Sequence, residues 1–184
     1  RSVGIPARFV GTPSWYNNSG NHSWVEIWDG EWHFTGAAEP TEDRLNESWF
    51  EDLASKAEKG SDKYGIFAAT WEHTDIYFPM DWLPGVKEYN AIDVTNTYKS
   101  SLVDDQFVPI RIRALDSSGN RQQVKVIIYG DNNFTKQGFS KDETCDANDH
   151  LTFMVPKGKT FTLQSKKVTK IIKADKEKLI NLEI

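Results

Sequence analysis

The sequence has one cysteine, no long apolar run and no excess of positive charge, and each lack closes off a class of protein. A single cysteine, Cys145, forms no internal disulfide and makes no zinc site by itself; of the histidines only His150 lies near it. No apolar run reaches the roughly 18 residues that a membrane-spanning helix needs. The formal net charge of −5 argues against a nucleic-acid or other phosphate-binding protein, whose footprint is basic. No signal-like apolar stretch opens the chain, and no initiator methionine does either: it begins Arg1-Ser2-Val3-Gly4, which reads as a fragment or a processed product.

What is present divides unevenly. All seven tryptophans fall before residue 90, with five of the seven prolines and three of the four histidines. Beyond it the sequence alternates β-branched residues with Lys and Asp. Pro79, Pro84 and Gly85 punctuate the approach to the change, so two domains are expected, 1–90 and 91–184.

In the first, Arg8-Phe9-Val10 reads as a strand, and Ser23–Trp28 and Trp32–Thr35 flank Asp29-Gly30, a strong two-residue hairpin signal. Trp49, Phe50, Leu53, Ala54 and Ala57 recur with helical spacing between Asn46 and Gly60, and Tyr64 to Trp71 reads as a further strand. In the second, Phe107–Ala114, Gln123–Tyr129, Leu151–Val155, Phe161–Leu163, Lys167–Ile172 and Leu179–Ile184 read as short strands separated by turns. That pattern predicts a small antiparallel β-sandwich. The mixed charges from Lys166 to Lys178 read as a solvated face, and the sandwich by itself as a possible spacer or docking module. Asp142, Glu143, Asp146, Asp149 and His150 gather around Cys145; a solvated turn fits them better than a divalent-cation loop, whose oxygen ligands are more regularly spaced.

A two-residue turn at Asp29-Gly30 sets a register. Trp28 then pairs with Glu31, Glu26 with His33, Trp24 with Thr35 and His22 with Ala37. Val25, Ile27, Trp32 and Phe34 share the face to be packed, and His22, Trp24, Glu26 and Glu39 share the other. Glu39 lies diagonal to His22, at the about 7–8 Å that long side chains span. A carboxylate there can fix the tautomer of a catalytic imidazole and leave its other nitrogen free. The plainer reading of such a pair is a surface contact, and Glu26 with His33, a second pair on the same face, is taken to be structural.

The segments Gly4-Ile5-Pro6-Ala7-Arg8-Phe9-Val10, Gly20-Asn21-His22-Ser23-Trp24-Val25-Glu26-Ile27-Trp28 and Glu39-Pro40 resemble the core of the transglutaminase-like superfamily. The resemblance covers residues 1–50 and, more loosely, the chain to about 90. It implies an α+β fold: a partial papain-like antiparallel sheet with one helix, followed by an all-β antiparallel sandwich similar to carboxypeptidase-regulatory-like or prealbumin-like domains. It implies a Cys-His-Glu triad and acyl transfer through a thioester, with no cofactor and no metal. His22 matches the base, Glu39 stands where the family carries an orienting Asp, and the nucleophile is expected on a helix upstream of Arg1. Cys145 does not match it, so this chain alone is expected to be inert. The resemblance further implies an extracytoplasmic bacterial protein acting on a protein, a peptide or a cell-surface glycan. The alternative is a non-catalytic glycan- or peptide-binding or scaffolding protein on a degenerate version of the fold. Trp15 and Trp24, with Tyr16 and Trp28, would then form an aromatic platform.

Overall fold

The computed structural model describes residues 3–36, 44–80, 82–99, 106–131, 133–166 and 168–184. Among the described residues strands dominate, and both helices are a single turn. The chain divides into two compact units, Arg1–Leu102 and Val103–Ile184.

The first unit is built on one antiparallel sheet of β1 (Ala7–Thr12), β2 (His22–Trp28), β3 (Trp32–Thr35), β4 (Phe67–Ala69) and β5 (Ala91–Asp93), in the order β3-β2-β1-β4-β5. Two helical turns, α1 (Glu51–Ala54) and α2 (Thr95–Tyr98), contribute to its core. Val10, Trp24, Ile66 and Ala68 pack there with Phe50, Leu53 and Ala54 of the α1 segment and with Val94 and Tyr98 of the α2 segment. A smaller cluster holds Phe67, Phe78 and Ala91.

Three expectations change here. The limit of the first unit falls after residue 102, not at 90, because β5 hydrogen-bonds to β4 and Tyr98 is buried in the first core. The helix expected between Asn46 and Gly60 shrinks to one turn, although Phe50, Leu53, Ala54 and Ala57 are all buried as their spacing required. The second helical turn, α2, has no counterpart in the reading of the sequence.

The hairpin register shifts by one. Trp28 pairs with Trp32, Ile27 with His33, Glu26 with Phe34 and Val25 with Thr35, around a three-residue loop closed by Asp29 N–H donating to the Glu31 carbonyl at 3.0 Å. Gly30 takes the left-handed position there, at φ +82°. Burial explains the shift. In the expected register the residue facing Glu26 is His33; in the observed one it is Phe34, whose ring lies 5.5 Å from Phe50 and 5.4 Å from Tyr98. A one-residue slip exchanges the face of β2 that lies beside Phe34, and the sheet settles where Phe34 packs on the side of Trp24 and Glu26 instead of Val25 and Ile27. The buried face of β2 is therefore that of Trp24 and Glu26, while Val25 and Ile27 are only half-buried.

The second unit is a β-sandwich. One sheet holds β7 (Lys125–Tyr129), β8 (Thr135–Phe139), β10 (Thr160–Ser165) and β11 (Val168–Lys173) in the order β11-β10-β7-β8. The other holds β6 (Phe107–Leu115), β9 (Leu151–Pro156) and β12 (Lys178–Glu183) in the order β12-β6-β9. Ile110, Ile112, Val126, Ile128, Phe153, Val155, Leu163 and Leu182 form the common core. The sandwich is not wholly antiparallel as expected: β12 runs parallel to β6, Leu179 beside Arg111 and Leu182 beside Ala114. β8 is a strand that the sequence did not announce. Its exposed Thr135, Lys136 and Gln137 give little apolar alternation to read. No helix among the described residues is long and apolar enough to cross a membrane.

Candidate active site

His22 is the first residue of β2 and pairs with Thr12 at the end of β1. The strands approach closely beside it: a Cβ added at Gly11 would stand 3.0 Å from the His22 carbonyl oxygen and 3.0 Å from Ser23 Oγ. The imidazole is half-buried in an aromatic niche. Its ring centroid lies 4.7 Å from Trp49, 5.1 Å from Phe50, 5.9 Å from Trp24 and 6.0 Å from Trp15. Four rings from β2, the segment after β1 and the residues just before α1 thus limit how the imidazole can turn.

Glu39, the expected orienting acid, lies outside the described residues, as do Ala37 and Ala38. The shifted register removes the geometric argument that set Glu39 diagonal to His22, and leaves that pairing resting on the resemblance. His33 takes partners other than the expected Glu26: its Nδ1 is 2.8 Å from Asn46 Nδ2, and its Nε2 is 3.8 Å from Glu31.

Trp15 and Trp24, the expected ligand platform, are each 1% exposed and belong to the first core. They stack on each other at 6.1 Å with an interplanar angle of 8°, and offer no open face to a ligand. They are the wall of the niche, because the face of β2 that carries Trp24 is the one that packs.

Beneath that wall lies a polar group built on Glu26, whose partners are not the expected His33 but Arg8 and Tyr98. Glu26 is fully buried. Arg8 Nε donates to its Oε2 at 2.5 Å, and the Arg8 guanidinium sits 4.1 Å above the Trp32 ring. The Tyr98 hydroxyl donates to Glu26 Oε1 and accepts from Trp24 Nε1 at 2.7 Å. Burial, and next the Glu26 carboxylate, push the Tyr98 phenol well above its ordinary pKa, so the hydroxyl stays protonated. Arg8 and Glu26 both stand in motifs that the sequence displays. Tyr98 does not: it is 72 residues from Glu26, and nothing local to it signals the contact.

In the second unit the loop around Cys145 is organised by an internal cation. The buried Arg121 donates from Nη2 to the Cys145 carbonyl at 2.7 Å and from Nη1 to the Asp146 carbonyl at 2.8 Å. Its backbone N–H donates to Glu143 Oε1 at 2.6 Å, and Lys141 pairs with Asp149 at 2.9 Å. Carbonyls of the kind a divalent ion would draw on are thus turned to a guanidinium. Among the described residues no group of three or more His, Cys, Asp or Glu could hold a metal ion.

His150 closes this loop with its Nδ1 buried and without a hydrogen-bond partner. Burial, then the charges of Arg113, Arg121 and Arg111, lower its pKa to about 4. Protonation therefore favours the unfolded chain, where an imidazole titrates near about 6.5. The stability at stake is present above that value and is lost as pH falls towards 4. Discounted for partial exposure, the loss is expected to be about 2 kcal/mol. Urea unfolding of the second unit at pH 7 and pH 4.5 checks it, since His150→Gln should lose correspondingly less than the parent sequence. Asp142, held below the ordinary carboxylate value by its hydrogen bonds from Thr144, titrates below this window.

No protein-family model matches the sequence. No curated protein matches it either. Among solved structures, the chain is similar to a C-terminal fragment of the pilus adhesin SpaC from Lactobacillus rhamnosus GG, in an iodide-soaked crystal. The identity is 8% and the TM-score 0.30, over 91% of this chain and 74% of that one. It is also similar to the Bacillus anthracis TIE protein, at 11% identity and a TM-score of 0.31, over 98% of this chain and 30% of that one. At these scores neither fold nor function transfers.

Proposed function

We propose that this chain is the part of a transglutaminase-like cysteine acyltransferase or peptidase that follows its nucleophile, with His22 as general base and Glu39 as the acid that orients it. The observation that carries the reading is the setting of His22. A strand-end imidazole, half-buried and confined by four aromatic rings, is preorganised to take a proton from a thiol brought beside it. A surface histidine has no comparable confinement. The segments resembling the family supply the rest: the Arg8 strand lies directly against the His22 strand.

The thiol bond to the acyl donor would form as His22 takes the thiol proton, and the same imidazole would return it to the leaving amine. Cys145 belongs to the second unit and its loop is held by Arg121, so the 184-residue chain itself is expected to lack thioester chemistry. The substrate is a protein, a peptide or a cell-surface glycan, met outside the cytoplasm.

The experiment uses the full reading frame. A cysteine upstream of Arg1 should be trapped by an electrophilic peptide, and His22→Ala should reduce that labelling to the level of the denatured protein. Full labelling in His22→Ala overturns the role of His22. Ser, Ala or Gly at the nucleophile position favours the second reading, a binding or scaffolding protein. One observation supports that reading: a groove of about 440 Å³ lined by Arg8, Trp32 and the exposed Trp71, which offers the aromatic surface that Trp15 and Trp24 do not.

A further inference from the structure

The Trp24 indole separates two groups that do not touch, His22 and the buried Glu26. On one side its ring stacks on the imidazole at 5.9 Å and 24°. On the other its N–H donates to the Tyr98 hydroxyl, which donates in turn to Glu26. A phenol carries one proton. With the indole as donor, that proton goes to the carboxylate and the chain of bonds has a single sense.

The terminal torsion of an aromatic side chain is broad and roughly two-fold, so the torsion itself allows an indole two orientations, which place its N–H on opposite edges. Turning Trp24 over would take its N–H away from Tyr98 and leave a buried donor unmade, in a site where Trp24 is 1% exposed. The hydrogen bond therefore holds the indole in the orientation whose face meets His22, together with the rings packed around it. Tyr98 is itself tied down: α2 follows β5 directly, and Thr95 on the same turn accepts from the Ile66 N–H at 2.9 Å.

We propose that Tyr98 is a positioning residue for His22, acting through the Trp24 indole. The inference rests on the reading of His22 as the base. It extends the site to α2, beyond the segments that resemble the family.

The test is site-resolved modification of the histidines with diethyl pyrocarbonate, read by mass spectrometry on the full 184-residue chain. Tyr98→Phe removes one oxygen and keeps the ring. Of the two hydrogen bonds lost, the one from Trp24 bears on His22, and its loss should speed modification of His22 about fivefold, the effect of one hydrogen bond on a local opening. His33, on β3 of the same unit, should keep its rate. A His22 rate that does not rise overturns the proposal, and so does an equal rise at His33, which is the signature of general loosening. Trp24→Phe breaks the same bond from the indole side and should also speed His22. Adding Tyr98→Phe to it should change nothing further, and a second fivefold rise overturns the coupling. The measurement needs no nucleophile, so its failure is separate from failure of the catalytic reading, which the trapping experiment on His22→Ala decides.

Discussion

Arg8→Ala is expected to destabilise the first unit by about 3–5 kcal/mol, because it strands a carboxylate in the core. Glu26 has a side chain 1% exposed, and Arg8 Nε supplies the charge-assisted hydrogen bond to its Oε2. Without the guanidinium, the Tyr98 hydroxyl is left to hold an ionised group away from water. Trp32 also loses the cation 4.1 Å above its ring, a smaller cost of about 0.5–1 kcal/mol. The measurement is favourable, because every tryptophan of the chain lies in the first unit and none in the second. Tryptophan fluorescence in urea thus follows this unit alone. The diagnostic comparison is Arg8→Ala with Glu26→Gln. Removing the stranded charge should recover about half of the loss or more, whereas two independent contributions would add. A fluorescence midpoint that Arg8→Ala leaves in place would show that the pair contributes nothing.

The second large effect is expected at Arg121. Arg121→Ala should cost the sandwich about 3 kcal/mol, since hydrogen bonds to a charged group contribute about 1.5–3 kcal/mol each and the two to loop carbonyls are lost together. The carbonyls of Cys145 and Asp146 lose their donor, and Glu143 loses its ion pair at 3.4 Å. Arg121→Lys should recover little, because an ammonium cannot reach two carbonyls with the planar fork of a guanidinium. Two readouts separate local from global loss. Calorimetry gives the transition of the second unit, and a thiol reagent reports the loop, because Cys145 is the one cysteine in the chain. Faster labelling of Cys145 with a lowered transition is the expected pair of results. An unchanged labelling rate would mean that the loop holds its shape without Arg121.

The two units differ in how much of them could be read in advance. In the sandwich, most strands stood out, because alternation along a half-buried strand is a local property. The parallel pairing of β12 with β6 did not, since it is settled by which sheet the last strand joins. In the first unit the apolar spacing around Phe50 named the right core residues and the wrong helix length. Burial follows spacing, whereas helix length follows hydrogen bonds at each end.

The site shows the same division. The sequence by itself determined that Arg8 and Glu26 lie on strands and that a turn follows Trp28; the start of β2 at His22 and its pairing with the Arg8 strand came with the fold. The sequence also determined that a Trp-rich part precedes a Trp-free one. These follow from local propensity, from turn chemistry and from composition. Tertiary structure decided the register of β2 on β3, which face of β2 is inside, and that Trp15 and Trp24 are walls instead of a platform. It also decided that the first unit includes Tyr98. Each depends on what a side chain meets across the fold: Phe34 against Phe50 and Tyr98, and Glu26 against a hydroxyl 72 residues away. Burial against distant partners outweighs the local signal of a two-residue turn, and no local pattern carries that information.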